Sequence, residues 1–240
     1  YKAETDPRLE KQFLRLQAKL FGYLKPLYAT LVRYPISDQS VNARYARTFG
    51  YQQNDRIKEA LIEINRLILE YPENPFYYEA KAQILFEDGR VLEALQPYGK
   101  AVEYLPSSPL LRMSYARALI SSEDDQFLDN AIKNLEIALE ADPDDSFGWK
   151  QASIAYHRMN NNGMTYYSTA QHFLLSGNIR GAMVNAKKAL DILPKGSPNW
   201  IKSQDIMVVT ESNLSDDEKK RRKKNKKENR EIRQKERQRG

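Results

Sequence analysis

The sequence predicts an all-α fold, an α-solenoid of antiparallel helix pairs with an N-terminal helix and a disordered basic tail. Three observations carry this. A 34-residue period links Ala60 to Ala94, Pro72 to Pro106 and Tyr51 to Leu85. Small residues stand at core spacing inside helical stretches, as Ala94 and Ala101 do in EDGRVLEALQPYGKAVEYLP (87–106). A proline closes each unit, because it cannot supply the next backbone N–H. Two helices of this length bury too little apolar surface alone, so neighbouring units must stack.

Residues 6–33 read as a helix with Asp6 as N-cap and Pro7 at its first position. Leu9, Phe13, Leu16 and Leu20 form its apolar stripe, and Pro26 breaks or kinks it. Helix pairs follow at 41–54 with 56–71, 75–87 with 90–105, and 109–121 with 126–141. A helix at 146–160, a pair at 163–176 with 178–193, and a short cap at 196–210 packed through Trp200 and Ile206 complete the series. Pro97 falls inside a helix and predicts a kink rather than a loop, since Ala101 and Pro106 stay in register. The third copy is stretched: Ala131 and Pro143 lie 37 residues after Ala94 and Pro106, the extra residues falling in SSEDDQF. Gly177, Ala182, Ala189 and Pro194 repeat the spacing of Gly89, Ala94, Ala101 and Pro106.

This grammar resembles the tetratricopeptide repeat, a helix–turn–helix unit. Tyr78, Ala82, Leu85, Gly89, Ala94, Tyr98, Ala101 and Pro106 fall at its places, with Lys81 off pattern; the preceding copy matches at Tyr51, Ala60, Ile64 and Pro72, with Arg44 and Arg47 off pattern. Trp149 and Tyr156 mark a further copy. The small residues have a physical reason: where paired backbones approach closely only a small side chain fits, and alanine carries no helix-propensity cost.

The 240 residues hold 41% hydrophobic residues and no cysteine, so most of the chain folds and disulfides and thiolate metal sites are excluded. No run is long and apolar enough to span a membrane, and no signal peptide is visible. The chain starts at Tyr1 and reads as a piece of something longer. Its net charge of +6 is unevenly placed. Residues 219–240 carry 13 Lys and Arg against 3 Asp and Glu, a balance of +10 that leaves the remainder at −4. The tail is either a solvated end or an electrostatic contact to a phosphate-rich surface, whether anionic lipid or, nonspecifically and with strong salt dependence, nucleic acid. It holds no aromatic residue on which bases could stack, so nucleic acid is not the expected partner.

No nucleophile–base arrangement and no HExxH is visible, so no catalytic residue and no metal ligand is assigned. His157 and His172 are read as structural or surface groups, and the acidic clusters Glu123–Asp125 and Asp142–Asp145 as caps and solvated charge. In tetratricopeptide arrays the first helices of the pairs line a groove. That resemblance places a partner-binding groove at Asn42, Tyr45, Phe49 and Gln52, at Phe76, Glu79, Gln83 and Phe86, at Leu110, Met113 and Arg117, and at Phe147, Lys150 and His157. Such an aromatic, mixed-polar groove suits an extended or helical peptide. The other reading is that several of these aromatics pack against the N-terminal helix or a further domain.

Several stretches carry a closer resemblance: AKLFGYL (18–24), VRYP (32–35), NARYARTFGY (42–51), NPFYYEAKAQILFEDGR (74–90) and GSPNWIKSQDI (196–206). Together they resemble the C-terminal repeat region of bacterial zinc metallopeptidases of the β-barrel assembly-enhancing protease type, over about residues 6–207. The resemblance implies a periplasmic module that recruits partners or misassembled outer-membrane proteins. It implies zinc only in an upstream peptidase domain, with no cofactor in these 240 residues. The domain reading is then a linking helical segment (1–40), a repeat array (41–207) and the basic tail (208–240). The alternative function is a free-standing repeat scaffold whose basic tail binds an anionic surface, either membrane or nucleic acid.

Overall fold

The computed structural model describes residues 7–213. Asp6 and the tail from residue 214 onward lie outside the described residues. Every described element is helical: α1 (Pro7–Leu24), α2 (Leu27–Arg33), α3 (Val41–Gln52), α4 (Ile57–Glu70), α5 (Pro75–Glu87), α6 (Val91–Tyr104), α7 (Pro109–Ser121), a 3-10 turn (Asp125–Phe127), α8 (Leu128–Ala141), α9 (Ser146–Arg158), α10 (Asn162–Leu175) and α11 (Ile179–Ile192). A last helix, α12, spans 198–213. It takes in residues 208–213, which the sequence reading had assigned to the tail. Helix α6 is unbroken through Pro97, which is buried.

Local chemistry sets the boundaries. Asn74 and Ser108 cap α5 and α7, accepting from the Phe76 and Leu111 amides, and Pro75 and Pro109 follow at the first helical position. The acidic clusters serve the same purpose: Asp145 accepts from Phe147 and Gly148, and Asp124 accepts from Gln126. Tight turns between helices use a left-handed residue. It is glycine at Gly89 and Gly177, but Asp55, Glu123 and Asn160 hold the equivalent conformation with a side chain.

The chain divides into two compact units between Glu123 and Asp124, inside the expected array. In the first unit α3 packs on α4, α5 on α6, and each pair on the helix that follows. Ala60, Ala80, Ala94 and Ala101 are fully buried at these crossings. In the second unit α8 packs on α9, α9 on α10 and α10 on α11. Its core is Tyr167, Ala170, Ala182, Ala186, Ala189 and Ile206. The cap expected at the C-terminal end is present as α12, with Ile206 buried and the Trp200 indole N–H donating to the Leu190 carbonyl at 3.1 Å.

Two features of the first unit depart from the repeat pattern. Arg47 is fully buried. It donates to both carboxylate oxygens of Glu63 on α4 (2.7 and 3.3 Å), and to the carbonyls of Pro35 (2.7 Å) and Asp38 (2.8 Å). Arg44 holds Glu70 in a two-pronged pair at 2.5 Å. The off-pattern arginines thus tie α3 to α4 where the motif asks for apolar packing. The second departure is α1. Its inward face is Arg15, Ala18, Lys19 and Gly22, whereas the apolar stripe of Leu9, Phe13, Leu16 and Leu20 points outward. The cause is steric. A Cβ at Gly22 would overlap the Ala46 carbonyl oxygen, and Ala18 is fully buried, so this face alone lets α1 lie close on α3.

Candidate functional site

The groove expected on the first helices of the pairs is occupied in the first unit. Tyr45, Phe49 and Gln52 are buried on α3, and Asn42 is half-buried. Tyr45 meets Phe49 edge-on at 5.1 Å and leans on Tyr77 at 5.5 Å. Above them α1 supplies the lid: Arg15 stacks over the Phe76 ring at 3.4 Å, and Lys19 pairs with Glu79 at 3.2 Å and lies 4.9 Å from the Phe49 centroid. The structure therefore takes the second of the two sequence readings for these aromatics. They meet a helix of their own chain, so Tyr45 and Phe49 are corrected from an open docking surface to core. Burial pushes the Tyr45 phenol well above its ordinary range, with the Glu79 carboxylate adding to the effect.

Further along the first unit, Glu87 accepts from Gln52 (2.5 Å) and Gln83 (2.9 Å), joining α3 to α5. Arg117 covers Phe86 at 4.4 Å from the ring centroid. Met113 is buried, also contrary to a groove role, while Leu110 and Arg117 are exposed. In the second unit Phe147, Lys150 and His157 share one exposed face of α9.

The opposite face of α9 lines a groove of about 770 Å³, within the range of ligand-binding clefts. Leu135 and Leu139 of α8 and Ile206 and Val209 of α12 form its sides; Trp149 and Tyr156 of α9 and Tyr167 and Leu174 of α10 form its floor. Trp149 meets Tyr167 edge-on at 5.5 Å. The Tyr156 hydroxyl donates to Glu136 at 2.8 Å, and burial followed by this bond pushes its phenol up. The Tyr167 hydroxyl accepts from Gln171 at 3.0 Å. The rim is acidic: Glu136, Glu140, Asp144 and Asp205 line it, with Lys202. The motif signature residues Trp149 and Tyr156 were legible, but the α12 wall and the empty space beside it were not. That wall depends on where the last helix lies, which no local pattern fixes.

No catalytic relay is built from the histidines. Ser146 Oγ lies 2.9 Å from His172 Nδ1, and Ser176 Oγ lies 2.8 Å from Ser146 Oγ. The Ser146 carbonyl faces the same ring nitrogen at 3.0 Å. This cluster ties the start of α9 to the end of α10 and recruits no carboxylate among the described residues. No group of three His, Cys, Asp or Glu able to hold a metal occurs among the described residues.

These elements define a tetratricopeptide-repeat α-solenoid. No family model matches the sequence, and no curated protein matches it. Solved structures do. One is a MamA structure, "MamA MSR-1 C2", with a TM-score of 0.58 and 16% identity over 72% of this chain and 99% of the other. YrrB, described as a TPR protein with an unusual peptide-binding site, has a TM-score of 0.58 and 19% identity over 73% of this chain and 90% of its own. A MamA from Desulfovibrio magneticus RS-1 has a TM-score of 0.53 and 13% identity over 72% and 90%. At these identities the likeness is one of fold.

Proposed function

We propose that the chain is a protein-docking module that holds a segment of a client protein in the groove of the second unit. The observation that carries the reading is the groove itself. Apolar side chains from four helices converge on a space of about 770 Å³ with charge confined to the rim, the arrangement expected of a peptide cleft. The fold match to YrrB, a protein described as peptide-binding, supports it. The finer reading is that the module recruits clients for a periplasmic zinc metallopeptidase acting on outer-membrane proteins or their assembly machinery. It rests on the resemblance carried by residues 18–24, 32–35, 42–51, 74–90 and 196–206. The zinc would then belong to a separate peptidase domain. An upstream coding sequence without HExxH would remove that finer claim and leave the docking reading standing.

The docking reading is tested by selecting peptides from a display library on the full 240-residue chain. The selected peptides are then measured against Leu175→Asp and Val209→Asp, two exposed apolar residues that line the groove. Placing a charge on the groove surface is expected to weaken them by roughly a hundredfold, the loss of one or two buried anchors. Peptides that bind both variants as tightly as the parent chain would show that docking occurs elsewhere.

A further inference from the structure

We infer that the occupant of this groove is a short amphipathic helix with basic residues on both flanks of its apolar stripe; this rests on the docking reading above. Shape argues for a helix. The α8 side runs from Ile132 to Glu140 and the α12 side from Asn199 to Val209, about 12 and 15 Å at 1.5 Å per residue. Two to three helical turns fill that length. An extended peptide would need backbone partners, and the groove is lined by helices whose own N–H and C=O groups are already paired. Nor can the polar side chains beneath replace a strand edge: Gln171 donates to Tyr167, and Asn199 donates to the Met164 sulfur at 3.2 Å. A helix arrives with its backbone satisfied and needs only an apolar face, the mode in which anchors recur every three or four residues.

Charge argues for a basic guest. Glu136 and Glu140 lie one turn apart on α8, so both project from the same side of that helix. Asp144 stands at the end of the same wall, and Asp205 faces the groove from α12. All four are exposed, so they reach a guest's flanks without being buried. Against them Lys202 is the one cation among the described lining residues. An acidic guest would meet like charge on both sides. A wholly apolar guest would leave the rim without counter-charge, and the rim would then contribute nothing to its binding. The chain's own basic segment, 219–240, is not this guest: Ile232 is its sole aliphatic residue, so it has no stripe to bury.

The test uses two labelled helical peptides of about 14 residues, long enough to sample helix in water. They share one leucine stripe and differ only in flanks of lysine and arginine or of glutamate. Binding is measured on the full chain and on the triple variant Glu140→Lys, Asp144→Lys, Asp205→Lys, whose helix content is checked by circular dichroism. The basic peptide is expected to bind the parent chain at least about tenfold tighter than its acidic twin. That margin should shrink with added salt and reverse on the triple variant. Equal binding of the twins, with both lost on Val209→Asp, would overturn the basic-guest inference and leave docking intact. Binding of neither twin to a chain that still captures selected peptides through the groove would overturn the helical guest. Tighter binding of the acidic twin, lost on removing 214–240, would place the attraction in the tail and overturn the inference as well.

Discussion

At the scale of single residues, Arg47 is the clearest departure from the repeat. It occupies a place where the motif asks for an apolar side chain, yet its guanidinium is fully buried and meets Glu63 and two loop carbonyls. Removing one partner of a buried pair strands the other charge, so Arg47→Ala should cost about 3–5 kcal/mol in urea unfolding. Replacing both, Arg47→Met with Glu63→Leu, should restore most of that loss; failure of the double variant would mean that the carbonyl bonds dominate. The buried tyrosines make a second prediction. Burial holds the phenols of Tyr45, Tyr98 and Tyr156 above their ordinary range. The raised value belongs to the folded state, so the stability it contributes is whole below about pH 10, the unfolded value. It is lost above that pH, as the unfolded chain ionises and the folded chain does not. Unfolding free energy measured across that range should fall, with the tyrosinate absorbance of these rings appearing together with unfolding. A flat profile would show these rings to be solvated. The in-phase alanines and prolines were legible in the sequence because each acts locally. The role of Arg47 was not, because its partner lies sixteen residues away on another helix and nothing in its own neighbourhood announces the pair.

At the scale of elements, α1 shows sterics overruling hydrophobicity. The stripe of Leu9, Phe13, Leu16 and Leu20 was readable, and the ordinary expectation turns such a stripe toward a core. The structure turns it outward, because Ala18 and Gly22 permit a closer backbone approach than any leucine face. Arg15 and Lys19 then seal the aromatics of α3 and α5. Gly22→Ala should therefore push α1 off α3 at a cost of roughly 1–3 kcal/mol. Hydrogen exchange should show protection lost along α1 and at Tyr45 and Phe49, while α5–α7 keep theirs. Unchanged protection of α1 would mean that the close contact at Ala46 relaxes freely. Helix boundaries came out within a few residues of expectation because caps, prolines and left-handed turn residues are local signals. Which face of α1 would be hidden was not available, since it depends on the shape of a neighbour.

At the scale of the whole chain, period and phase made the solenoid legible, as each repeat touches only its neighbours and the same local rule recurs. The usable cleft was not legible, because it arises where α8, α9, α10 and α12 leave space, and space has no sequence motif. Changes to its rim should accordingly alter binding with little change in unfolding, since Glu140, Asp144 and Asp205 are exposed. The anchoring of the N-terminal segment has one more consequence. Through Arg47, the carbonyls at Pro35 and Asp38 are riveted to the interior of the first helix pair, so the stretch just before α3 is moored. Thr30 of α2 is likewise pressed onto Gly50. Between this fixed base and α1 lies the joint at Lys25 and Pro26. Any uncovering of the aromatics beneath α1 must swing from that joint as a hinged flap, not peel away from the chain's beginning through to α3.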